Sequence, residues 1–257
     1  MALDGLVISN LAKDCRDHLI GGRIYKIYQP ENDELTFIIK NNRSTYRLLL
    51  SASASLPLVY LTTESKNNPV QAPNFCMLLR KHINNGRIID IDQPGFERIL
   101  IFTIEHLNEL GDLCRKQLIV EIMGKHSNII FANEDGMIID SIKHISAQIS
   151  SVREVLPGRS YEFPPSHGKV APGEVDLPYF LNTICQKPLT ICKAIYTSVT
   201  GISPLIANEL CFRAGLDGND ATASLTEEQA ARLYGEFVKL AEQIRQGNYE
   251  PNIVLHK

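Results

Sequence analysis

Ala72–Ile88 reads APNFCMLLRKHINNGRI. Phe75, Leu78, Leu79 and His82 or Ile83 recur at three- and four-residue spacing, the period of a helix with one buried face, and Asn84-Asn85-Gly86 closes it before a branched run resumes. The setting of this helix decides the fold. Upstream lie four short runs rich in branched and aromatic residues, RIYKIYQ, ELTFIIKN, TYRLLLSA and LVYLTT, separated by Pro, Asn, Asp or Ser clusters as in an antiparallel meander. Downstream lie five more: RIIDIDQ, RILIFTIEHL, KQLIVEIM, NIIFANE and MIIDSIKHI, with NEDG at Asn133–Gly136 as a turn between two of them. A further helix, LDGLVISNLAKDCRDHLIGG, precedes the first group, with Asp4 placed to cap it and Gly21-Gly22 to end it. Helix, four strands, helix, five strands is an α+β pattern of two similar halves. It predicts a β-sandwich with flanking helices, not a parallel sheet with helical crossovers.

Between about Ser146 and Gly173 the periodicity stops, and Pro157, Pro164, Pro165 and Pro172 with Gly158, Gly168 and Gly173 mark an irregular connection. We expect a strand-rich domain over 1–174 and a small all-α domain over 175–257. The helical part reads VDLPYFLNTICQ, LTICKAIYTSV, SPLIANELCFRAG and TEEQAARLYGEFVKLAEQIRQG. Two of its helix starts are well marked: Ser203-Pro204 is an N-cap followed by Pro at the first helical position, and Thr226 with Gln229 fits a capping box.

Composition narrows the function classes. The chain has 257 residues, 44% of them hydrophobic, enough for proper cores, and 26 basic against 29 acidic side chains, so no global positive field argues for a nucleic-acid partner. The balance is 19 to 20 before Val175 and 7 to 9 from there on, so any RNA contact must be local. The six cysteines sit in apolar stretches without CxxC spacing, which suits reduced, buried thiols of a cytoplasmic protein and gives no metal site. No secretory leader and no membrane-spanning run is expected.

Four features carry candidate chemistry. Val120–Gly136, VEIMGKHSNIIFANEDG, sets Lys125, His126 and Ser127 between two strands; only Gly124-Lys125 survives of a P-loop, and both a hairpin turn and a ligand-contacting loop fit the residues. QPGFERIL places Glu97 and Arg98 directly after a Pro-Gly turn at the mouth of an apolar strand. LLRKHINNGR sets Arg80, Lys81, His82 and Arg87 near one another at the end of the central helix, with Arg80, Lys81 and Arg87 as candidate phosphate contacts or the cluster as a complement to the helix dipole. TSVTGISPLIANELCFRAG has the form of two helices joined by a Gly-containing turn, whose second N-terminus can hold a phosphate or simply pack. There is no GxSxG, HExxH or dinucleotide fingerprint, and no nucleophile with a base and an orienter can be assembled.

The ordered blocks MALDGLVISNL, LIGGRIYKIYQP, LLLSASAS, FCMLLRKHI, QPGFERIL, VEIMGKHSNIIF, VLPGRSYEFPP and GISPLIANELCFRAG resemble the N-terminal part of the NFACT proteins, which include bacterial RqcH, eukaryotic NEMF and proteins once called fibronectin-binding protein A. The resemblance implies a ribosome-associated quality-control factor that binds a large ribosomal subunit obstructed by peptidyl-tRNA, recruits tRNA (alanyl-tRNA in bacteria), and promotes template-free C-terminal tailing. It implies an NFACT-N domain similar in fold to the N-terminal domain of formamidopyrimidine-type DNA glycosylases, then a helix-hairpin-helix module.

Carried over by position, the family's acidic-Arg pair facing the tRNA anticodon region falls on Glu97 and Arg98, with Glu97 where the family commonly has Asp. The anticodon-facing strand segment falls on Glu121, Ile122 and Met123, with Lys125, His126 and Ser127 adding phosphate or sugar contacts. Arg stacks on or forks onto a base and a carboxylate accepts from an amine or ribose hydroxyl, which is how unpaired bases are read. No catalytic residue, cofactor, metal, membrane or DNA partner is expected. A glycosylase would need that family's N-terminal proline nucleophile, where this chain reads Met1-Ala2-Leu3-Asp4, and its zinc finger, for which there is no paired CxxC; an adhesin would need an export signal.

Overall fold

The computed structural model describes residues 3–251. Helix α1 (Gly5–Leu19) leads into β1 (Arg23–Glu31), β2 (Glu34–Asn41), β3 (Ser44–Ser51) and β4 (Leu58–Leu61). Helix α2 (Asn74–Ile83) follows, then β5 (Arg87–Asp92), β6 (Ile99–Leu107), β7 (Leu113–Glu121), β8 (Asn128–Asn133) and β9 (Ile138–Ser141). The four and five strands expected on either side of the central helix are therefore these nine. They hydrogen-bond antiparallel in the order β4-β3-β2-β1-β5-β6-β7-β8-β9. The α+β architecture with flanking helices is as the pattern implied. The chain groups into two compact units: Leu11–Pro94 with Arg98–Pro165, and Asp4–Asn10 with Gly95–Glu97 and the residues from Ser166.

In the strand-rich unit, the two halves of the sheet meet at one register pair, Arg23 opposite Arg87. The same local sequence sits on both sides of that seam: helix, then Gly22-Arg23-Ile24 or Gly86-Arg87-Ile88. The glycines are there for space. A Cβ on Gly22 would lie 2.7 Å from Ile39 Cγ2 and 2.9 Å from Leu19 O, and one on Gly86 would lie 2.8 Å from Ile104 Cγ2 and 3.0 Å from Ile83 O. Equivalent bulges follow on each strand, between Ile24 and Lys26 and between Ile88 and Asp90. α2 packs on β1 and β6 through Phe75, Cys76, Leu79 and Ile83. Strand β8 is buried from Asn128 to Ala132. At the far edge, Ile99, Ile119, Ile130, Ala132, Ile138 and Val155 form a cluster against which Met123 and Tyr161 pack.

The helical unit contains α3 (Leu177–Tyr179) running into a π-helical turn at Phe180–Ile184, then α4 (Ile191–Ser198), α5 (Pro204–Arg213) and α6 (Glu227–Gln246). Phe96, Phe180, Ile195, Leu210, Leu233 and Phe237 lie in its core. Both marked helix starts are formed. Ser203 Oγ accepts from Ile206 N at 3.3 Å, and Thr226 and Gln229 exchange side-chain and backbone bonds at 2.9 and 3.2 Å. All six cysteines are free thiols.

Candidate nucleic-acid interface

The MGKHSN segment closes β7 onto β8. Gly124 takes the left-handed conformation at φ 58°, which a residue without Cβ adopts freely, and Gly124–His126 form a single 3-10 turn. Ser127 sets its shape: its backbone N–H donates to Gly124 O at 2.9 Å, and its Oγ accepts from Met123 N at 2.8 Å. Asn128 locks the turn from below, since its Oδ1 accepts from Lys143 N at 3.1 Å and its Nδ2 donates to Lys143 O at 2.9 Å. Lys143 Nζ donates to Ser127 O at 3.1 Å and to Ala52 O, and desolvation lowers its pKa. Lys125 and His126 project into solvent from this fixed base, and Met123 is half-buried.

Arg98 stands beside the same segment. Its carbonyl accepts from Ile122 N at 2.8 Å, extending the β6–β7 ladder one step beyond the Ile99–Glu121 pair. The Arg98 side chain is half-buried. Glu97, also half-buried, groups with the helical unit, after the Pro94–Phe96 turn in which Gly95 and Phe96 both have positive φ, 56° and 62°.

Three expected contact residues differ in the structure. Glu121 is fully buried: Arg153 Nη2 donates to its Oε2 at 2.5 Å, and Tyr161 OH donates to its Oε1 at 2.8 Å. A carboxylate inside an apolar strand must be paired, and these two partners occupy both its oxygens. Burial and the carboxylate push the Tyr161 phenol far up, and the same carboxylate raises Arg153 despite desolvation. Ile122, one residue past the end of β7, is buried, and so is Ser127, whose hydroxyl braces the turn. The side chains of all three are withdrawn from solvent.

The basic cluster also divides. Arg80 donates through Nε to Ile27 O at 2.8 Å and lies 5.7 Å from the Tyr28 ring, so its side chain ties α2 to β1. Lys81 is exposed, 3.8 Å from Glu109, and Arg87 is exposed on β5. At the start of α5, where the sequence fits either a phosphate site or plain packing, the N-cap serine is bonded to a carboxylate of the chain itself. Ser203 Oγ donates to Asp4 Oδ2 at 2.6 Å, while Asp4 Oδ1 caps Val7 N at 3.0 Å and Gly5 N donates to Gly201 O at 2.8 Å. Sequence reasoning missed Arg153, Tyr161 and Lys143. The lone acid within the apolar run LIVEIM was a signal that a buried partner existed.

Among the described residues no group of three or more His, Cys, Asp or Glu could hold a metal, and no helix is long and apolar enough to cross a membrane. Fold and turn together define a two-unit α+β protein in which an antiparallel strand ladder carries a short turn with Lys125 and His126 exposed. The chain belongs to the NFACT family: the family's N-terminal and middle domains match residues 4–257. It is 41% identical over 217 residues to the Rqc2 homolog RqcH of Bacillus subtilis, covering 84% of this chain and 38% of that protein. The chain thus spans well under half the length of that relative. Among solved structures, the fibrinogen-binding protein of Staphylococcus aureus superposes with a TM-score of 0.80 at 31% identity, covering 95% of this chain and 83% of that one. The N-terminal part of the fibronectin/fibrinogen-binding protein of Streptococcus suis gives 0.76 at 33% identity, covering 91% and 84%.

Proposed function

We propose that this chain is the tRNA-positioning part of a cytoplasmic ribosome-associated quality-control factor. In this reading it acts on a large ribosomal subunit obstructed by peptidyl-tRNA, recruits tRNA (alanyl-tRNA in bacteria) for C-terminal tailing of the stalled chain, and leaves bond formation to the ribosome. The strand-rich part, 1–174, carries the tRNA contact, and 175–257 is the helix-hairpin-helix part. The observation that carries the proposal is the placement of Arg98 next to Ile122 in the β6–β7 ladder, with Met123, Lys125 and His126 on the adjoining turn. A guanidinium, a thioether and two hydrogen-bonding groups on a pre-set backbone suit unpaired anticodon bases and their phosphates. Glu97 adds a carboxylate next in the chain, able to accept from an exocyclic amine. Glu121, Ile122 and Ser127 position these groups from inside.

A mouse relative, 20% identical over 202 residues and covering 78% of this chain and 18% of that protein, carries the name ribosome quality control complex subunit NEMF, which supports the ribosomal setting. Substitution Arg98→Ala tests the contact. We expect tRNA affinity to fall by about 10- to 100-fold, the range of a lost base or backbone fork, with the melting temperature unchanged. Affinity equal to that of the unsubstituted chain in both Arg98→Ala and the combined Lys125→Ala/His126→Ala variant overturns the proposal.

A further inference from the structure

Away from the MGKHSN turn, the register of the sheet lines up a row of cations on one face. Arg23 of β1 stands opposite Lys40 of β2 on one side and opposite Arg87 of β5 on the other. Directly opposed residues of antiparallel strands project to the same face. Ile24 N donates to Gly86 O at 2.8 Å and Ile88 N to Gly22 O at 2.9 Å, so the two arginines form a non-hydrogen-bonded pair, the kind whose side chains lie closest. The bulge in β1 turns both Tyr25 and Lys26 outward. Tyr25 is 44% exposed, with Lys40 Nζ 3.6 Å and Lys26 Nζ 5.3 Å from its ring centroid. Arg43, exposed in the β2–β3 turn, adds a cation two residues beyond the end of β2.

Two carboxylates adjoin the row. Glu105 faces Arg87 across β6, but its Oε2 lies 3.8 Å from Arg115; Asp90 is exposed on β5, at the place Lys26 holds on β1. Among the described residues none of Arg23, Lys26, Lys40, Arg43 and Arg87 is ion-paired. Like charges directly opposed across strands destabilise a sheet, and here three stand on consecutive strands of a chain whose net charge is -3. A polyanion supplies the missing counter-charge, and an exposed aromatic ring among cations is a stacking platform.

We infer that Arg23, Lys40 and Arg87, with Lys26, Arg43 and Tyr25 around them, form a second RNA-backbone surface. It lies at the opposite end of β6 from the MGKHSN turn, about 20 Å away, since Glu105 and Ile99 are six strand residues apart. It rests on the RNA reading above and is separable from it.

The test uses the whole chain with two probes, unfractionated tRNA and purified large ribosomal subunits, each titrated across salt concentrations. For Arg23→Gln/Arg87→Gln we expect at least a tenfold loss of affinity for one or both probes. The slope of log affinity against log salt should shrink by roughly 1.5, two phosphate contacts' worth. The melting temperature should hold or rise, because repulsion is relieved, whereas a structural role would lower it. Arg23→Lys/Arg87→Lys should keep the slope. Unchanged affinity and slope in the Gln variant, with the wild-type chain binding and Arg98→Ala defective, overturns this surface alone. Failure of the wild-type chain to bind either probe overturns the RNA reading and this surface together.

Discussion

Glu121 shows how far a single side chain is set by partners the local sequence does not display. It is fully buried, and its two oxygens are held by Arg153 and Tyr161, 32 and 40 residues further on. Both partners come from the stretch whose lost periodicity reads as a connection, because a segment that earns its place through two polar anchors has no hydrophobic period to show. That stretch is also held by the isolated bridges Met137–Ser160 and Ile145–Val155. Arg98, Lys125 and His126, by contrast, were legible as candidates because polar groups flanking a turn stand out against apolar strands. Removing one member of a buried pair strands the other, so Arg153→Met should destabilise the chain by about 3–5 kcal/mol, and Tyr161→Phe by about 1 kcal/mol through its lost hydrogen bond. Urea denaturation checks both. The double variant Glu121→Gln/Arg153→Met should recover part of the loss, since the buried charge is gone; a double variant no better than Arg153→Met would show that the pair is not what holds the segment.

At the scale of elements, helix starts and strand runs were readable because their chemistry is local: Ser203 and Thr226 cap the helices they precede, and branched runs became strands. The seam between the sheet's halves was half-visible. LIGGRI and INNGRI announce a helix closing on glycine before a strand, and the spacing Ile24-Ile27 and Ile88-Ile91, three instead of two, is what a bulge leaves in a sequence. That the two segments pair with each other at Arg23 and Arg87 was not visible, since nothing in either one names its partner. The seam's tightness gives a prediction. Gly86→Ala places a Cβ 2.8 Å from Ile104 Cγ2 and 3.0 Å from a carbonyl, so backbone has to move, at a cost of about 1–3 kcal/mol. Gly95→Ala is the comparison: its φ, unlike that of Gly86, is positive, at 56°, and nothing lies within 4 Å of the added atom, so it carries conformational strain without a clash. Thermal melting of the two variants separates crowding from strain, and equal losses would mean that space at the seam is not limiting.

For the whole molecule, sequence order and spatial grouping disagree in a way that matters for dissection. Composition suggests a cut at 174/175, yet the helical unit also contains Asp4–Asn10 and Gly95–Glu97. These are not ornaments. Phe96 belongs to that unit's core with Leu6 packed against it, Asp4 bonds Ser203, and Gly5 bonds Gly201 at a contact so close that a Cβ on Gly201 would fall 2.3 Å from Phe96 O. A chain of residues 166–257 alone therefore loses a core phenylalanine, a leucine and the carboxylate that caps α5's own N-cap serine. Deleting a buried phenylalanine by itself costs about 3–5 kcal/mol, of the order of the entire stability of a small domain. We expect residues 166–257 to be largely unfolded at 25 °C by circular dichroism and amide exchange, and a peptide spanning residues 3–19 not to restore the fold unless Phe96 is supplied as well. A cooperative melt above 45 °C for residues 166–257 would show instead that the three segments are docked onto a core complete without them.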